Sequence, residues 1–262
     1  MEHVVVGSHN QMRVRDLAQL VRHYRGLRAR DGLDILCLQE SVDPSGCPQV
    51  RAIAERIGAS YRWFDERITE TEQAIVYDAS RVRIADVRFV ELPRLPRLTA
   101  LQRWVLGRSE PLQRYAQVVA FELVETGRAF TVVNFHLDCV GELAHRQAQL
   151  ARVQRELEHP RWPRPTIACG DTNAFALRRQ RAALAWVLAP LGIPDVGHRP
   201  THWFARAREE ELSHRVAVAL GRLGLDLPHR YDVVCANGHV RAHGQVTTPE
   251  SDHDLVWASV AA

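Results

Sequence analysis

The chain has 262 residues, 46% hydrophobic and 25% charged, with a formal net charge of +3. That composition excludes a disordered or fibrous chain, and the length suits one large α/β domain or two small ones. No apolar run is long enough to span a membrane. The opening MEHVVVGS passes almost directly into a strand-like run with no basic leader, so a cytoplasmic location is the expectation.

Strand-like runs follow one another along the chain: HVVVGS, DILCLQ, AIVY, YAQVVAFELV, AFTVVNFH, TIACGD, YDVVCA and DLVWASV. Each is rich in Val, Ile or aromatic residues and ends at a polar or turn-forming residue. Helical periodicity falls at about Val14–Leu27, Pro48–Ile57, Glu142–Leu157 and Ala176–Leu188. The stretch from Tyr115 to His136 predicts a hairpin with Thr126 and Gly127 at its turn. Helices interleaved with hairpins imply mixed sheets covered by helices. No linker or repeat divides the chain, so a single domain over 1–262 is expected.

Five cysteines are present, Cys37, Cys47, Cys139, Cys169 and Cys235, with no CxxC pair, and three lie inside strand-like runs. Those three read as small core residues, and neither a disulfide framework nor a zinc site is expected. Every basic side chain other than histidine is Arg. Arg suits phosphate binding, but a GC-rich genome also exchanges Lys for Arg throughout, so the count itself decides nothing.

Two stretches stand apart. Pro93–Arg114 carries five Arg and one Glu, a net charge larger than that of the whole chain. Glu209–Leu223 reads as a helix with Leu212, Val216, Leu220 and Leu223 on one face and acids at its start.

The polar residues at the strand ends carry the chemistry. VVVGSHN ends at Asn10, DILCLQE at Glu40, FTVVNFHLD at His136 and Asp138, and IACGDTN at Asp171 and Asn173. Asp232 opens a strand in HRYDVV, and Ser251, Asp252 and His253 precede the last one. Ligands of open α/β sheets gather at strand ends. Carboxylates and amides converging there offer hard oxygens suited to Mg²⁺ or Mn²⁺, and a histidine beside a carboxylate supplies acid–base chemistry.

The ordered set SHN, LQES, NFHLD, GDTN, RYD and SDHD resembles the endonuclease/exonuclease/phosphatase superfamily, whose fold is that of deoxyribonuclease I. The resemblance runs from Val4 to Val260. It implies an α/β four-layer sandwich, two packed mixed β-sheets flanked by helices, and a Mg²⁺- or Mn²⁺-dependent phosphoesterase. By resemblance Glu40 is the principal metal ligand, with Asn10 beside it and Asp252 as a second metal-side acid. Asp171 orients or deprotonates the attacking water, Asn173 holds water or phosphate, and His136 contacts the scissile phosphate. His253 is the catalytic histidine and Asp232 fixes its orientation. GDTN, rather than the commoner GDFN, is shared with tyrosyl-DNA phosphodiesterases. His9 stands where the family often has an aromatic residue, and is expected to be structural. The helix-like stretch from about Arg208 to Leu223 fills a gap that is often shorter in the family.

Outside that set, Asp138, Arg146 and Thr201 read as scaffold. His145, His198, His214, His229 and His243 lack ligand spacing and read as surface or packing residues. Arg94, Arg97, Arg103 and Arg108 are the candidate substrate-binding cations. Leu98, Leu101, Trp104 and Val105 offer a face that a membrane interface would accept. The favoured expectation is a phosphodiesterase or nuclease acting on nucleic acid, with no stable protein partner. The alternatives are a hydrolase of a small phosphate ester or phospholipid headgroup, and a binding protein that has lost catalysis. None of the six motifs is damaged, which argues against the last.

Overall fold

The computed structural model describes residues 2–11, 14, 16–41, 49–66, 72–106, 109–174, 179–197, 199–202 and 229–262, with backbone alone at 104–106. Cys47, Arg108, His198, His214 and the helix-like stretch from 208 to 223 lie outside them. Among the described residues, eleven strands form two sheets. The first joins β1 (His3–Asn10), β2 (Leu33–Gln39), β3 (Tyr61–Phe64), β4 (Ala74–Asp78), β10 (Val240–Val246) and β11 (Leu255–Ala261), in the spatial order β10-β11-β1-β2-β4-β3. The second runs β5-β6-β7-β8-β9: Val82–Glu91, Tyr115–Leu123, Ala129–His136, Thr166–Asp171 and Asp232–Ala236. Both are mixed. β1 is parallel to β2 and antiparallel to β11, and β7 is parallel to β8, which is antiparallel to β9.

Helices α1 (Leu17–Asp31) and α2 (Val50–Ile57) cover the first sheet; α4 (Leu143–Leu157) and α5 (Gln180–Leu188) cover the second. A short α3 (Ala100–Leu106) precedes β6. Strand alternation sorts the side chains into layers. Val4, Val6, Ile35, Val132, Ile167, Val234 and Val256 meet between the sheets. Val5 and Leu36 turn outward under Leu20, Tyr24 and Ile53, and Val133 and Phe135 lie under Leu150 and Val187. Burial on both faces explains why the central strands read as continuous apolar runs rather than alternating ones. Cys37 and Cys169 belong to the inner layer and Cys235 to the outer one, as expected of small core residues, whereas Cys139 is exposed.

The hairpin between β6 and β7 turns at residues 124–128, where Gly127 takes φ 70. Helix α1 begins three residues later than the periodicity suggested. Asp16 caps it by accepting from the Gln19 amide at 3.0 Å, and Gly32 (φ 77) ends it. Strands β3, β5 and β10 went unread in the sequence, and all three are sheet edges. Their exposed residues, Arg83 and Arg88 on β5 and Arg241 and His243 on β10, dilute the apolar pattern that marks a central strand. Among the described residues no helix is long and apolar enough to cross a membrane.

The C-terminal ends of β1, β2, β7 and β8 and the starts of β9 and β11 therefore meet at one edge of the sandwich. A buried amide network lies just beneath. Gln39 Nε2 donates to Asn134 Oδ1 (2.7 Å); Asn134 Nδ2 donates to the Leu38 and Ala74 carbonyls and to Gln117 Oε1 (2.9 Å). These bonds tie the two sheets together immediately below Glu40 and His136, where an unpaired amide would be destabilising.

Candidate active site

Asp171 is the last residue of β8, and the strand reaches it through a tight approach. Gly170 has φ 149, and a Cβ there would lie 1.9 Å from the Phe135 carbonyl oxygen. Only glycine fits, which explains the Gly of GDTN. Gly170→Ala should destabilise the fold by about 3 kcal/mol through overpacking, read as a lower denaturant midpoint. An unchanged midpoint would show that β7 and β8 can separate without loss.

The Asp171 carboxylate is held on both oxygens. Oδ1 accepts from the Asn173 amide (2.7 Å) and Oδ2 from Asn10 Nδ2 (2.9 Å). Asn173 takes φ 46 and donates its side-chain amide to the Leu137 carbonyl at 2.9 Å. Asn tolerates this left-handed backbone. Glu40 does not tolerate it so readily, yet it stands at φ 51 just past β2. Strained residues of this kind cluster at functional sites. Asn10 Nδ2 also reaches Glu40 Oε1 at 3.4 Å, so with Nδ2 directed at two carboxylates, Oδ1 is the atom Asn10 would offer a cation. Glu40 keeps 28% of its side chain open. Burial, and then the nearby Glu72, raise its carboxyl to about 7.

His136, at the end of β7, faces the same group, with Nε2 3.5 Å from Glu40 Oε1 and 4.0 Å from Asp171 Oδ2. Its Nδ1 lies 3.4 Å from Arg114 Nη1. A guanidinium only donates, so Nδ1 is the acceptor and Nε2 carries its proton toward the carboxylates. Arg114 is buried, with Nε 3.6 Å from Asp138 Oδ1. Asp138 in turn accepts from Gln149 (3.0 Å) and pairs with His145 (2.7 Å), which bears out its reading as scaffold.

On the opposite wall, His253 Nδ1 meets Asp232 Oδ2 at 2.8 Å, and its Nε2 is 3.9 Å from Asp171 Oδ2. Asp232 pairs with Asp171 across β8 and β9, and its amide donates to Thr201 Oγ1 (3.1 Å), again scaffold as expected. Burial opposes a charge on His253, but Asp232, Asp252 and Asp171 outweigh it and raise its pKa to about 10. Asp252 feels the reverse balance. Burial alone would raise it, but the His202 and His253 imidazoles hold it at about 2. His9 is structural, as expected: it lies 2.7 Å from the Tyr24 hydroxyl and 3.2 Å from the His253 carbonyl, and burial lowers its pKa to about 4.

The structure thus brings Asn10, Glu40, His136, Asp171, Asn173, Asp232, Asp252 and His253 to one edge. Of the four candidate cations of the basic segment, Arg108 lies outside the described residues. Arg94 pairs with Glu110 at 3.3 Å, Arg97 is exposed, and Arg103 donates to the Leu98 carbonyl at 3.1 Å. Among the described arginines of that segment, the one that reaches the site is Arg114, which the sequence reading passed over. His202 was also missed. Its Nε2 lies 3.6 Å from Asp252, and its ring packs 4.6 Å from that of His253. The cue for Arg114 was its position one residue before a buried strand. No spacing betrayed His202, which a bridge to His229 holds in place.

No protein-family model and no curated protein matches the sequence. Solved structures do. D. rerio TDP2 complexed with a single-strand DNA product is similar over the full length of both chains, with 18% identity and a TM-score of 0.68. An endonuclease/exonuclease/phosphatase from Bacteroides vulgatus aligns over 100% of this chain and 99% of its own, with 17% identity and a TM-score of 0.68. Sphingomyelinase C from Streptomyces griseocarneus aligns over the whole of both chains, with 15% identity and a TM-score of 0.63. The chain has the endonuclease/exonuclease/phosphatase fold, an α/β sandwich of two mixed sheets with flanking helices.

Proposed function

We propose that the chain is a divalent-cation-dependent phosphoesterase, with phosphodiester bonds of nucleic acid as its favoured substrate class. The observation that carries this reading is the pair of walls around Asp171: Glu40, Asn10 and His136 on one side, His253 held by Asp232 on the other.

The donors on the Glu40 side fit Mg²⁺ or Mn²⁺. They are a carboxylate and an amide oxygen, both hard, and the carboxylate's ionisation is opposed by burial and by Glu72, which a cation would relieve. A bound cation would polarise the phosphoryl oxygen and stabilise the leaving one. The protein's own groups then divide the remaining work. Asp171, fixed on both oxygens, accepts the proton of the attacking water. Protonated His253 donates from Nε2 to a phosphoryl oxygen as charge builds there. His136 donates from Nε2 on the other wall, with Arg114 enforcing that tautomer.

The test is a panel assay with Mg²⁺ over plain and abasic DNA, RNA, phosphotyrosyl-DNA, inositol phosphates and phospholipids. Turnover of a nucleic-acid member is expected. Turnover of none would reject the proposal. For a nucleic-acid substrate, log affinity should fall with log salt by about 0.7–0.9 per phosphate contact. Neutralising Arg94, Arg97, Arg103 and Arg108 together should flatten that slope and raise KM more than it lowers kcat. An unchanged slope would remove the basic segment from substrate binding.

A phospholipid headgroup is the second reading, favoured by Leu101, which stands 67% exposed on α3. Leu98 is buried and cannot share that face. On this reading Leu101→Ala and Trp104→Ala abolish vesicle binding.

A further inference from the structure

His253 also belongs to a second donor set of different chemistry. His202, Asp252 and His253 are all buried, and one ligand atom from each falls within 4.8 Å of the others. The Asp252 carboxylate spans the two rings. Oδ2 is 3.6 Å from His202 Nε2 and Oδ1 is 4.0 Å from His253 Nε2. Both separations are too long for good hydrogen bonds. They come close to the edge of a tetrahedron whose ligands each sit at about 2.0–2.1 Å from a common ion, roughly 3.4 Å.

The rings are already oriented. Asp232 holds His253 through Nδ1 at 2.8 Å, which leaves Nε2 as the ligand atom. A carboxylate on the far nitrogen is the usual support of a metal-bound imidazole. His202 is fixed by its backbone, whose amide donates to the His229 carbonyl at 2.9 Å, and by the Tyr231 ring, 4.9 Å from its own. Two imidazoles and one carboxylate favour a borderline transition metal over Mg²⁺, whereas Glu40 and Asn10 offer hard oxygens.

We propose that His202, Asp252 and His253 form a site for a transition-metal cation such as Zn²⁺, separate in donor chemistry from the Glu40 cluster. Occupation engages His253 Nε2, the atom assigned above to the phosphoryl oxygen. The cation is therefore an inhibitor of the phosphoesterase rather than its cofactor. That consequence rests on the proposed function; the binding itself does not.

The experiment uses metal-stripped full-length protein without substrate, titrated with Zn²⁺ by calorimetry, with Co²⁺ as a spectroscopic probe. One Zn²⁺ per chain should bind in the presence of excess Mg²⁺, and Co²⁺ should give the visible bands of four-coordinate nitrogen and oxygen ligation. His202→Ala should weaken Zn²⁺ binding by about a hundredfold or more, and His202→Cys, which restores a ligand, should recover it. Glu40→Gln should leave it intact. Absence of Zn²⁺ binding by the parent, unchanged affinity in folded His202→Ala, displacement by Mg²⁺, or equal loss in Glu40→Gln would each overturn the site. If the panel assay finds turnover, Zn²⁺ should inhibit the parent, with the inhibition constant raised in His202→Ala. If it finds none, the calorimetry still decides the site.

Discussion

Replacing His253 with Ala, or Asp171 with Asn, should lower kcat by about a hundredfold or more, the scale of a lost proton-transfer or electrostatic group. The two act from opposite sides of a gap of 3.9 Å. In the proposed mechanism Asp171 is the acceptor, its two oxygens fixed in place by donation from Asn10 and Asn173. Asn at this position keeps the shape but cannot take a proton. His253 is the donor in that mechanism, because three carboxylates favour its protonated form against burial. Asp232→Asn tests the same logic one step removed, since it withdraws the carboxylate from Nδ1 and with it the largest influence favouring the charged ring. It should lower kcat with little change in KM. Because the groups act as a unit, the double variant His253→Ala/Asp171→Asn should lose far less than the product of the single losses. Single-turnover rates in variants whose folding is verified decide the matter. Near-parental rates in either single variant would reassign the role.

How far the sequence could be read follows from what each residue must satisfy locally. Asn10, Glu40, His136 and Asp171 were legible because each ends a run buried on both faces, where a polar residue has to answer to something at the sheet edge. Asp232 and His253 were legible only through the order of the motifs, because nothing local says that residues 21 apart share a hydrogen bond. Arg114 was hidden by its company. Five arginines in one segment look alike in sequence, and only the fold shows that one of them turns inward against Asp138 and His136 while Arg94 pairs with Glu110 on the surface. His202 was hidden for the opposite reason: a lone histidine before a tryptophan carries no period, and its partners Asp252 and His253 come some fifty residues later. The amide network of Gln39, Asn134 and Gln117 was illegible too. Gln117 and Asn134 each interrupt an apolar run by one residue and Gln39 ends one, and these polar positions make sense only when the two sheets are stacked.

Removal of divalent cations should abolish turnover, and Mg²⁺ or Mn²⁺ should restore it. The reason lies in the charge on the Glu40 wall. Burial, and then the nearby Glu72, oppose the ionisation of Glu40. Arg114 offsets only part of this, because it also lies near Asp138. Asn10 cannot neutralise the pair, since its amide brings no charge. A phosphate ester arriving at this wall would meet carboxylates before it met His136, and the repulsion would keep it from Asp171 unless a cation stood between. Glu40→Gln keeps the hydrogen bond available to Asn10 but removes the charge that attracts the ion. The apparent affinity for Mg²⁺ should then weaken by about tenfold to a hundredfold, while the midpoint of thermal unfolding in EDTA should stay level or rise, because a carboxylate whose ionisation burial and Glu72 oppose has been removed. Turnover measured against Mg²⁺ concentration, beside unfolding curves in EDTA, separates the two effects. Full turnover in EDTA would mean that His136, His253 and Arg114 suffice to carry the phosphate's charge, and would reject the cation-dependent mechanism while leaving the fold untouched.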